Sequence, residues 1–496
     1  MSYVIGVDLG TSGVKIILLN DKGKFLDGRS AQYSPDTPER GFVEQDPCVW
    51  WENTKKAIIE LVLANPRAKD NVRALACSGQ MHSSVFLDSS GEVIRPAILW
   101  NDTRTTAQTK EIYKLTGGEQ NTVSYAYNRA LEGFTLPKIL WLRENEPENY
   151  SRVSKVIMPK DYLNYMLTGN IMTDVSDAAG TLLFDVKNRK WSSQMLEAVG
   201  VSPEILPQAV ESTSAVGKLK PELAAELGLS PETLVIAGGA DNSCAAIGNG
   251  AVSEGQAVIS VGTSGTVIAF LSGITSKVTG DVHLFNYSYP GASYAMGVML
   301  SAGECLNWAK RELFPELSFD EMNKLAQTVP AGSGGVVFLP YIFGERCPHQ
   351  DADARGIFFG LSGATAKAAL IRAVMEGVAL GLKSIYELVE KFTNIKEIYI
   401  TGGGAKSALW GQIISNAVNR ELTVLNIEEG PAFGAALIAA VGSGVFENFD
   451  EAKNICLKVV KTIKPDSDSK VYEKYYKLYN KLYSANKELF KELSAL

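Results

Sequence analysis

The sequence predicts an α/β protein that consists of two related halves. The residues Gly-Thr-Ser-Gly occur twice in the 496-residue chain, at 10–13 and at 262–265. Both copies lie between apolar, β-branched segments that are typical of strands. After each copy, predicted strands and helices alternate, as they do in α/β domains. We therefore expect two domains, 1–249 and 250–496, and a chain of this length can fold as two domains.

The predicted elements of the first half begin with a β-hairpin around the first Gly-Thr-Ser-Gly turn, over residues 3–19. Asp46, followed by proline, is typical of a helix start and predicts a helix over 49–64. The apolar runs 72–78 and 233–237 predict buried strands, and both are followed by polar residues. Ligands of α/β sheets lie beyond the carboxyl ends of strands, so these polar residues are candidates for a binding crevice.

The second half repeats this plan. A hairpin is predicted over 257–270, a helix over 375–391, a strand over 397–400 and a helix over 409–419. A last helix, over 470–493, carries tyrosines and leucines at helical spacing. Its apolar face indicates docking on the body of the protein, with a partner-binding helix as the alternative.

Composition excludes several functions. The chain has 48 basic and 55 acidic residues and a net charge of −7, so we expect no nucleic-acid partner and no membrane partner. A small-molecule partner is expected instead. The six cysteines show no C-x-x-C pair, which argues against a zinc module or a disulfide framework. Because no signal peptide or membrane-spanning run is found, we expect a cytoplasmic protein.

The two Gly-Thr-Ser-Gly turns are candidates for phosphate binding. Small residues let backbone amides approach a ligand, and successive N–H groups form an anion-binding concavity. One isolated copy would be read as an ordinary hairpin, but two matching copies favour phosphate binding. A third glycine turn, at 401–407, precedes a helix whose N-terminus can also face a phosphate. Since the P-loop and Rossmann fingerprints are both missing from the sequence, phosphate binding must be distributed over several turns.

Two aspartates and one lysine carry the predicted chemistry. Asp8 ends an apolar strand beside the first turn, where a carboxylate near phosphates requires a divalent cation, so it is a candidate Mg²⁺ ligand. Capping of its own turn is the alternative. Lys15 either faces the phosphates or lies on a solvent-exposed side of its strand. Asp241 follows a strand and a double-glycine turn; it is either a helix N-cap or a general base for an alcohol.

Two further clusters are candidates for sugar binding. Met81 and His82 follow the strand 72–78 and combine apolar and polar groups at the scale of a sugar, although a lone histidine is more often structural. Trp100 and Asp102 belong to a second cluster, residues 100–104, which taken alone would be a partly solvated turn. Beside a sugar, its polar groups would bind hydroxyls.

These segments resemble the FGGY family of carbohydrate kinases, within the superfamily of sugar kinases, actin and heat-shock ATPases. The resemblance rests on 8–15, 79–82, 96–102, 159–162, 176–181, 238–242 and 261–265, in this order along the chain. It implies a two-lobed fold of the actin-like, ribonuclease H-like ATPase type, with a deep cleft between duplicated lobes. The sugar would lie mainly on the first lobe and ATP mainly on the second.

The resemblance also implies residue roles. Asp241 would be the catalytic base and Asp8 the residue that organises Mg²⁺. The residues expected to face the phosphates and the nucleotide are Thr11, Lys15, Gly262, Thr263, Gly402, Gly403, Gly404 and Ser407. Those expected to contact the sugar are Met81, His82, Asp241 and Asn242, to which we add Trp100 and Asp102. The segments 343–348 and 353–356 are given structural roles.

The activity implied by the resemblance is ATP-dependent phosphorylation of a ketopentose, with D-xylulose as the expected substrate. Ribulose, gluconate and glycerol are alternative substrates. A nucleotide-dependent binding module without catalytic activity is an alternative from another class. Pairing of two chains into a homodimer is also expected from the resemblance.

Overall fold

Each half of the chain is built around one large mixed β-sheet with helices packed on it. The structure, a computed structural model, describes residues 2–274, 278–427 and 430–496. Within these ranges, the first half has a six-stranded sheet and the second half a seven-stranded sheet. The predicted α/β class and the duplicated plan are confirmed.

The first half begins with a three-stranded meander and then alternates strands with helices. Its strands are β1 (Tyr3–Leu9), β2 (Gly13–Asn20), β3 (Phe25–Gln32), β4 (Glu44–Gln45), β5 (Val72–Gly79), β6 (Val85–Leu87), β7 (Ala97–Ile98), β8 (Lys155–Ile157), β9 (Met172–Asp174), β10 (Phe184–Asp185), β11 (Lys190–Trp191), β12 (Gln208–Val210), β13 (Ala215–Lys218) and β14 (Leu234–Ala240). Its helices are α1 (Pro47–Ala64), α2 (Thr106–Leu115), α3 (Glu119–Ala126), α4 (Thr135–Asn145), α5 (Pro147–Arg152), α6 (Pro159–Thr168), α7 (Val175–Ala179), α8 (Ser193–Val199), α9 (Pro221–Leu227) and α10 (Asp241–Gly248), with a 3-10 turn at Pro203–Ile205. The start of α1 is fixed by Asp46, whose carboxylate accepts a hydrogen bond from the Cys48 amide at 2.9 Å.

The second half has longer helices. Its strands are β15 (Gln256–Val261), β16 (Gly265–Leu271), β17 (His283–Asn286), β18 (Ser293–Met299), β19 (Val337–Leu339), β20 (Ile357–Phe359), β21 (Glu397–Thr401), β22 (Leu422–Leu425) and β23 (Val459–Ile463). Its helices are α11 (Gly303–Trp308), α12 (Phe319–Gln327), α13 (Lys367–Val389), α14 (Gly403–Lys406), α15 (Ala408–Val418), α16 (Gly430–Gly442), α17 (Phe449–Cys456) and α18 (Ser469–Ala495), with a π-helical turn at Ala309–Leu313 and a 3-10 turn at Ser333–Gly335. Helix α13 starts earlier than residue 375, because good helix formers such as Ala, Leu and Arg extend it towards the N-terminus.

The two large sheets share one arrangement of strands. In the first half, β1 pairs antiparallel with β2 and parallel with β5. In the second half, β15 pairs antiparallel with β16 and parallel with β21. The two Gly-Thr-Ser-Gly segments therefore occupy equivalent turns, after β1 and after β15.

The halves are joined by close packing of α10 against α16, and α16 also packs on β1. Glycines permit this approach: a Cβ on Gly434 would lie 1.8 Å from the Cys244 carbonyl oxygen, and one on Gly6 would lie 2.0 Å from that of Ala432. One buried apolar cluster accordingly contains residues of both halves. This contact holds the ends of β1 and β14 near the second half.

The terminal helix α18 docks on the second half, as predicted. Tyr472 donates a hydrogen bond to Glu376 at 2.8 Å and Tyr483 donates one to Asp351 at 2.9 Å. Of the predicted apolar face, Leu489 and Leu493 remain exposed. The body of the protein therefore contacts mainly the first two-thirds of the helix.

Candidate active site

Asp8 lies on β1, next to the last residue of the strand. Across the antiparallel pair its partner is Lys15, and directly opposed residues of such a pair project from the same face. Burial raises the pKa of Asp8 to about 6, while neighbouring Ser78 and the positive charge of Lys15 limit the rise. The structure therefore brings the predicted metal ligand and the predicted phosphate counter-ion together.

Asp241 is the first residue of α10, directly after β14. The turn before it requires Gly238, which has φ +73° and whose Cβ would lie 1.9 Å from the Cys77 carbonyl oxygen. The Asp241 carboxylate accepts hydrogen bonds from the amide and side chain of Asn242, at 2.6 and 2.9 Å. Burial, together with the negative charge of Asp8, raises the pKa of Asp241 to about 7. Asp241 and Asp8 are thus electrostatic neighbours, and the helix N-cap is Ala240 rather than Asp241.

The chemistry of these two carboxylates fits a magnesium ion bound together with a nucleotide. Burial raises both pKa values, and the negative charge of Asp8 raises the pKa of Asp241 further; a divalent cation would relieve this repulsion. Across the described ranges, no group of three or more His, Cys, Asp or Glu side chains could form a metal cage. Mg²⁺ in phosphoryl-transfer sites is commonly held by one or two carboxylates and by substrate phosphates.

His82 is held as a neutral hydrogen-bond acceptor. Its Nδ1 lies 2.6 Å from the Gly180 carbonyl oxygen, and because a carbonyl only accepts, Nδ1 carries the proton. Burial lowers the pKa of His82 to about 3, so the ring is neutral and Nε2 has a free lone pair. The ring packs against Phe134, with centroids 4.7 Å apart. His82 can therefore accept a hydrogen bond from a hydroxyl group.

Five of the predicted sugar-contacting residues line one cavity of about 260 Å³, which also has walls from the second half. From the first half come Met81, His82, Trp100, Asp241 and Asn242. From the second half come Ser264, Thr266, His283, Met296, Val298 and Arg346. The cavity is thus formed between the halves, and its mixture of polar and apolar groups suits a small polyhydroxy molecule.

Thr11 of the first turn is connected to this cavity through Trp100. The Trp100 indole N–H donates a hydrogen bond to Thr11 Oγ1 at 2.9 Å, and Thr11 donates to Gln80 at 3.3 Å. The Trp100 side chain remains 40% exposed, so its ring is open to a ligand. The first phosphate turn and the sugar-sized cavity are therefore adjacent.

Asp102 does not line the cavity, and its predicted contact with a sugar is corrected here. The side chain is fully buried and pairs with Arg104 at 2.7 Å. It also accepts a hydrogen bond from the Val43 amide at 2.6 Å. Since both carboxylate oxygens are bound within the protein, Asp102 has a structural role.

Five of the eight residues predicted to face the phosphates and the nucleotide line a second cavity, of about 370 Å³, whereas Thr11 and Lys15 of the first half do not. Gly262, Thr263, Gly403, Gly404 and Ser407 are among its lining residues. Its other walls were not predicted from the sequence; they are Val261, Gly303, Leu306, Asn307, Phe319, Asn323 and Trp410. Gly402 is not a wall residue but allows the turn, because it has φ +88° and its Cβ would lie 2.6 Å from the Val261 carbonyl oxygen. The cavity combines glycine backbone with apolar walls, as a site for a nucleoside requires.

The second Gly-Thr-Ser-Gly turn separates the two cavities. Gly262 and Thr263 line the larger cavity, whereas the next residue, Ser264, lines the sugar-sized one. Ligands bound in the two cavities would therefore lie on opposite sides of this one turn.

Arg346 is the main site residue missed by the sequence analysis, which gave residues 343–348 a structural role. The structure places Arg346 in the wall of the sugar-sized cavity. The segment 343–348 resembles a family segment, but that resemblance was interpreted as structural. His283 was missed because its segment carries no motif and reaches the site only by folding. Neighbouring Glu345 does have a structural role, since its carboxylate accepts hydrogen bonds from the amides of Leu300 and Arg346.

Two related lobes, with a nucleotide-sized cavity and a sugar-sized cavity on either side of one glycine turn, define a phosphotransferase that acts on a small alcohol. Family models for the N-terminal and C-terminal domains of the FGGY family of carbohydrate kinases match residues 3–248 and 257–443. The chain belongs to the FGGY family of carbohydrate kinases. It is accordingly an enzyme for which ATP is the expected phosphoryl donor.

Named relatives cover nearly the whole chain. A xylulose kinase of Lactococcus lactis subsp. lactis is 41% identical over 497 residues, which is 99% of each chain. The structure of a ligand-bound xylulose kinase from Lactobacillus acidophilus superposes with a TM-score of 0.94, at 27% identity, and covers 99% of this chain and 100% of that one. A gluconate kinase from the same organism also gives 0.94 at 27% identity, with 99% of each chain covered. The fold is thus the actin-like ATPase fold of sugar kinases.

Membrane insertion through a helix finds no support in the structure. None of the helices in the described ranges is both long enough and apolar enough to cross a bilayer.

Proposed function

We propose that this carbohydrate kinase transfers the γ-phosphoryl group of ATP to the 5-hydroxyl of D-xylulose, giving D-xylulose 5-phosphate and ADP. The observation that carries the proposal is the single glycine turn between the two cavities, with Asp241 in the wall of the sugar-sized one. The xylulose kinase relative that is 41% identical over 99% of both chains supports the choice of sugar.

In this proposal Asp241 is the general base. Its carboxylate accepts the proton of the sugar hydroxyl while the hydroxyl oxygen forms a bond to the γ-phosphorus. The bond between that phosphorus and the leaving oxygen of ADP breaks in line, and no phosphoenzyme forms. Because the pKa of Asp241 is raised to about 7, the carboxylate is a stronger base than an ordinary aspartate and is still ionised at neutral pH in a large part of the molecules.

The remaining groups bind and orient the reactants. Mg²⁺, when bound with the nucleotide, would neutralise phosphate charge, and Asp8 is the residue that we expect to hold it. Lys15, beside Asp8, and the backbone amides of the two glycine turns would face the phosphates. Gly403, Gly404 and Ser407 would line the nucleoside, and neutral His82 would accept a hydrogen bond from a sugar hydroxyl.

An assay of ADP release across a panel of sugars tests this function. The panel contains D-xylulose, ribulose, gluconate and glycerol, and kcat/KM is compared at saturating ATP and Mg²⁺. We expect the highest kcat/KM for D-xylulose. A preference for gluconate, the substrate in the name of one structural neighbour, would contradict the proposal. A protein that shows no sugar-dependent ADP release with any member of the panel would favour the binding module.

Three further proposals rest on the resemblance and on chain order. We place the domain boundary between residues 249 and 250, in the connection from the end of α10 at Gly248 to the start of β15 at Gln256. A cytoplasmic location and a homodimer stay predictions. Sedimentation of the purified protein at micromolar concentration would distinguish a dimer from a monomer.

A further inference from the structure

The guanidinium of Arg346 lies in the wall of the sugar-sized cavity, and the carboxyl groups of Glu345 and Glu132 act on it only through their charge. Within residues 2–274, 278–427 and 430–496, its guanidinium makes no hydrogen bond or ion pair. Other largely buried arginines of the chain behave differently: Arg104 pairs with Asp102 and Arg372 pairs with Glu376, each at 2.7 Å. A buried charge without a partner is costly, so a guanidinium left open to a cavity indicates a ligand that supplies acceptors.

The backbone holds Arg346 firmly in this position. Its amide donates to Glu345 at 2.7 Å, and its carbonyl accepts from the Gln350 amide at 2.8 Å. The next residue, Cys347, donates its amide to the Val298 carbonyl at 3.0 Å, and Val298 itself lines the cavity. The loop between β19 and β20 is therefore clamped to β18, with the Arg346 side chain at the cavity.

Arg346 shares the cavity wall with Asp241 but is not among the groups that act on the Asp241 carboxylate. Its positive charge contributes to the lowered pKa of both His82 and His283, whereas the electrostatic neighbours of Asp241 are Asp8 and Asn242. No ion pair joins Arg346 to Asp241 among the residues that the structure describes. Because both residues line one cavity without pairing with each other, a sugar whose reacting hydroxyl is at Asp241 can reach Arg346 with another part of the molecule.

We propose that Arg346 is a specificity-determining residue that donates hydrogen bonds to the C2 carbonyl and C1 hydroxyl oxygens of the ketose. This inference rests on the proposed function, because it is phosphorylation at C5 that places C1 and C2 at the far end. A guanidinium presents several N–H donors in one plane and suits two neighbouring oxygens. Because Arg346 belongs to the second half while Asp241 and His82 belong to the first, the sugar then bridges the halves.

The first test compares Arg346→Gln with the native enzyme. We expect the KM for D-xylulose to rise at least 10-fold, while the KM for ATP and the slow hydrolysis of ATP without sugar change less than twofold. Arg152→Gln, which removes an exposed arginine of the first half, is the matched control and should leave all three values unchanged. An unchanged KM for D-xylulose in Arg346→Gln would overturn the inference.

The second test identifies the substrate atoms by removing them. With 1-deoxy-D-xylulose, which lacks the C1 hydroxyl, we expect native kcat/KM to fall at least 10-fold, but that of Arg346→Gln to fall less than threefold. Equal losses in both proteins would show that Arg346 does not contact this end. If Arg346→Gln does not fold, Arg346→Lys is compared in its place, because it keeps the charge but loses the planar pair of donors.

Failure of the inference and failure of the proposed function give different results. A native enzyme that does not phosphorylate D-xylulose contradicts the function before any variant is made. A native enzyme that does phosphorylate it, together with an Arg346→Gln variant of native KM, contradicts only the role of Arg346.

Discussion

The two Gly-Thr-Ser-Gly turns have the same sequence and the same place in their sheets but different chemistry. In the first half, the residue two positions before the turn is Asp8, and in the second half it is Ser260. The strand after the first turn carries Lys15, and the equivalent residue after the second turn is buried Val267. The first turn is therefore charged, whereas the second is neutral and forms a wall between two cavities.

The two halves of the duplicated scaffold therefore supply different groups to the site. Both copies supply small residues and backbone amides, which suit phosphate binding from two sides. Only the first copy adds charged side chains, near the carboxylate of Asp241. We therefore expect substitutions of Asp8 and of Ser260, the residues two positions before the turns, to have unequal effects on activity.

The largest effect is expected from Asp241→Asn, which removes the base but keeps the shape of the side chain. We expect kcat to fall about 10²–10⁴-fold, the range attributed to general acid–base catalysis. Nucleotide binding, measured by fluorescence titration, should change less than threefold, because the nucleotide cavity is lined by other residues. Native turnover in this variant would remove Asp241 from the role of base.

The second-largest effect on activity is expected from exchanging Asp8 and Ser260, the residues two positions before the two turns. Asp8→Ser gives the first turn the residue of the second, and we expect a loss of kcat on the order of 100-fold, since the proposed metal ligand is lost. Ser260→Asp should instead raise the KM for ATP several-fold by repelling phosphates, with Ser260→Ala as its near-native control. Equal effects of Asp8→Ser and Ser260→Ala on kcat would show that the charge of the first turn is not needed.

The pH dependence of the enzyme should follow Asp241. Because the pKa of Asp241 is about 7, protonation removes the base as the pH falls, so kcat/KM should decrease below about pH 7. A rate profile from pH 5 to 9 at saturating ATP measures this. A flat profile between pH 5 and 7 would contradict the assignment.

The raised pKa of Asp241 also predicts how the stability of the protein changes with pH. The folded-state pKa of Asp241, about 7, lies above the ordinary aspartate pKa of 3.8, so the folded state binds more protons between these values. Its contribution to stability is therefore present below about pH 4 and is lost as the pH rises through 7. We expect Asp241→Asn to have a higher Tm than the native protein at pH 8, and the difference to shrink towards pH 4 in calorimetric scans.

A smaller effect on function is expected for Asp102, where the sequence analysis was wrong. Asp102→Ala breaks a buried ion pair, which costs about 3 kcal/mol of unfolding free energy in urea titrations. The KM for the sugar should remain near the native value, because Asp102 does not line the cavity. If Asp102→Ala instead raised the KM for the sugar 10-fold without a loss of stability, the result would support a contact between Asp102 and the sugar.

Much of the site could be predicted from local sequence, and the rest could not, for physical reasons. Asp8 and Asp241 each end a strand beside glycines, and that pattern is visible in a single segment. Arg346 and His283 lie in segments without such a pattern, and only packing of the second half brings them to the cavity. For Asp102 a local signal did exist, since Arg104 is two residues away and satisfies the carboxylate.

The central claim is that the base and the phosphoryl group meet across the second glycine turn. A crystal structure with D-xylulose and a non-hydrolysable ATP analogue tests it most directly. We expect the sugar 5-hydroxyl about 3 Å from an Asp241 carboxylate oxygen, which is hydrogen-bond reach, and the γ-phosphate at Gly262 and Thr263. A sugar bound outside the cavity, or a γ-phosphate remote from Asp241, would contradict the account.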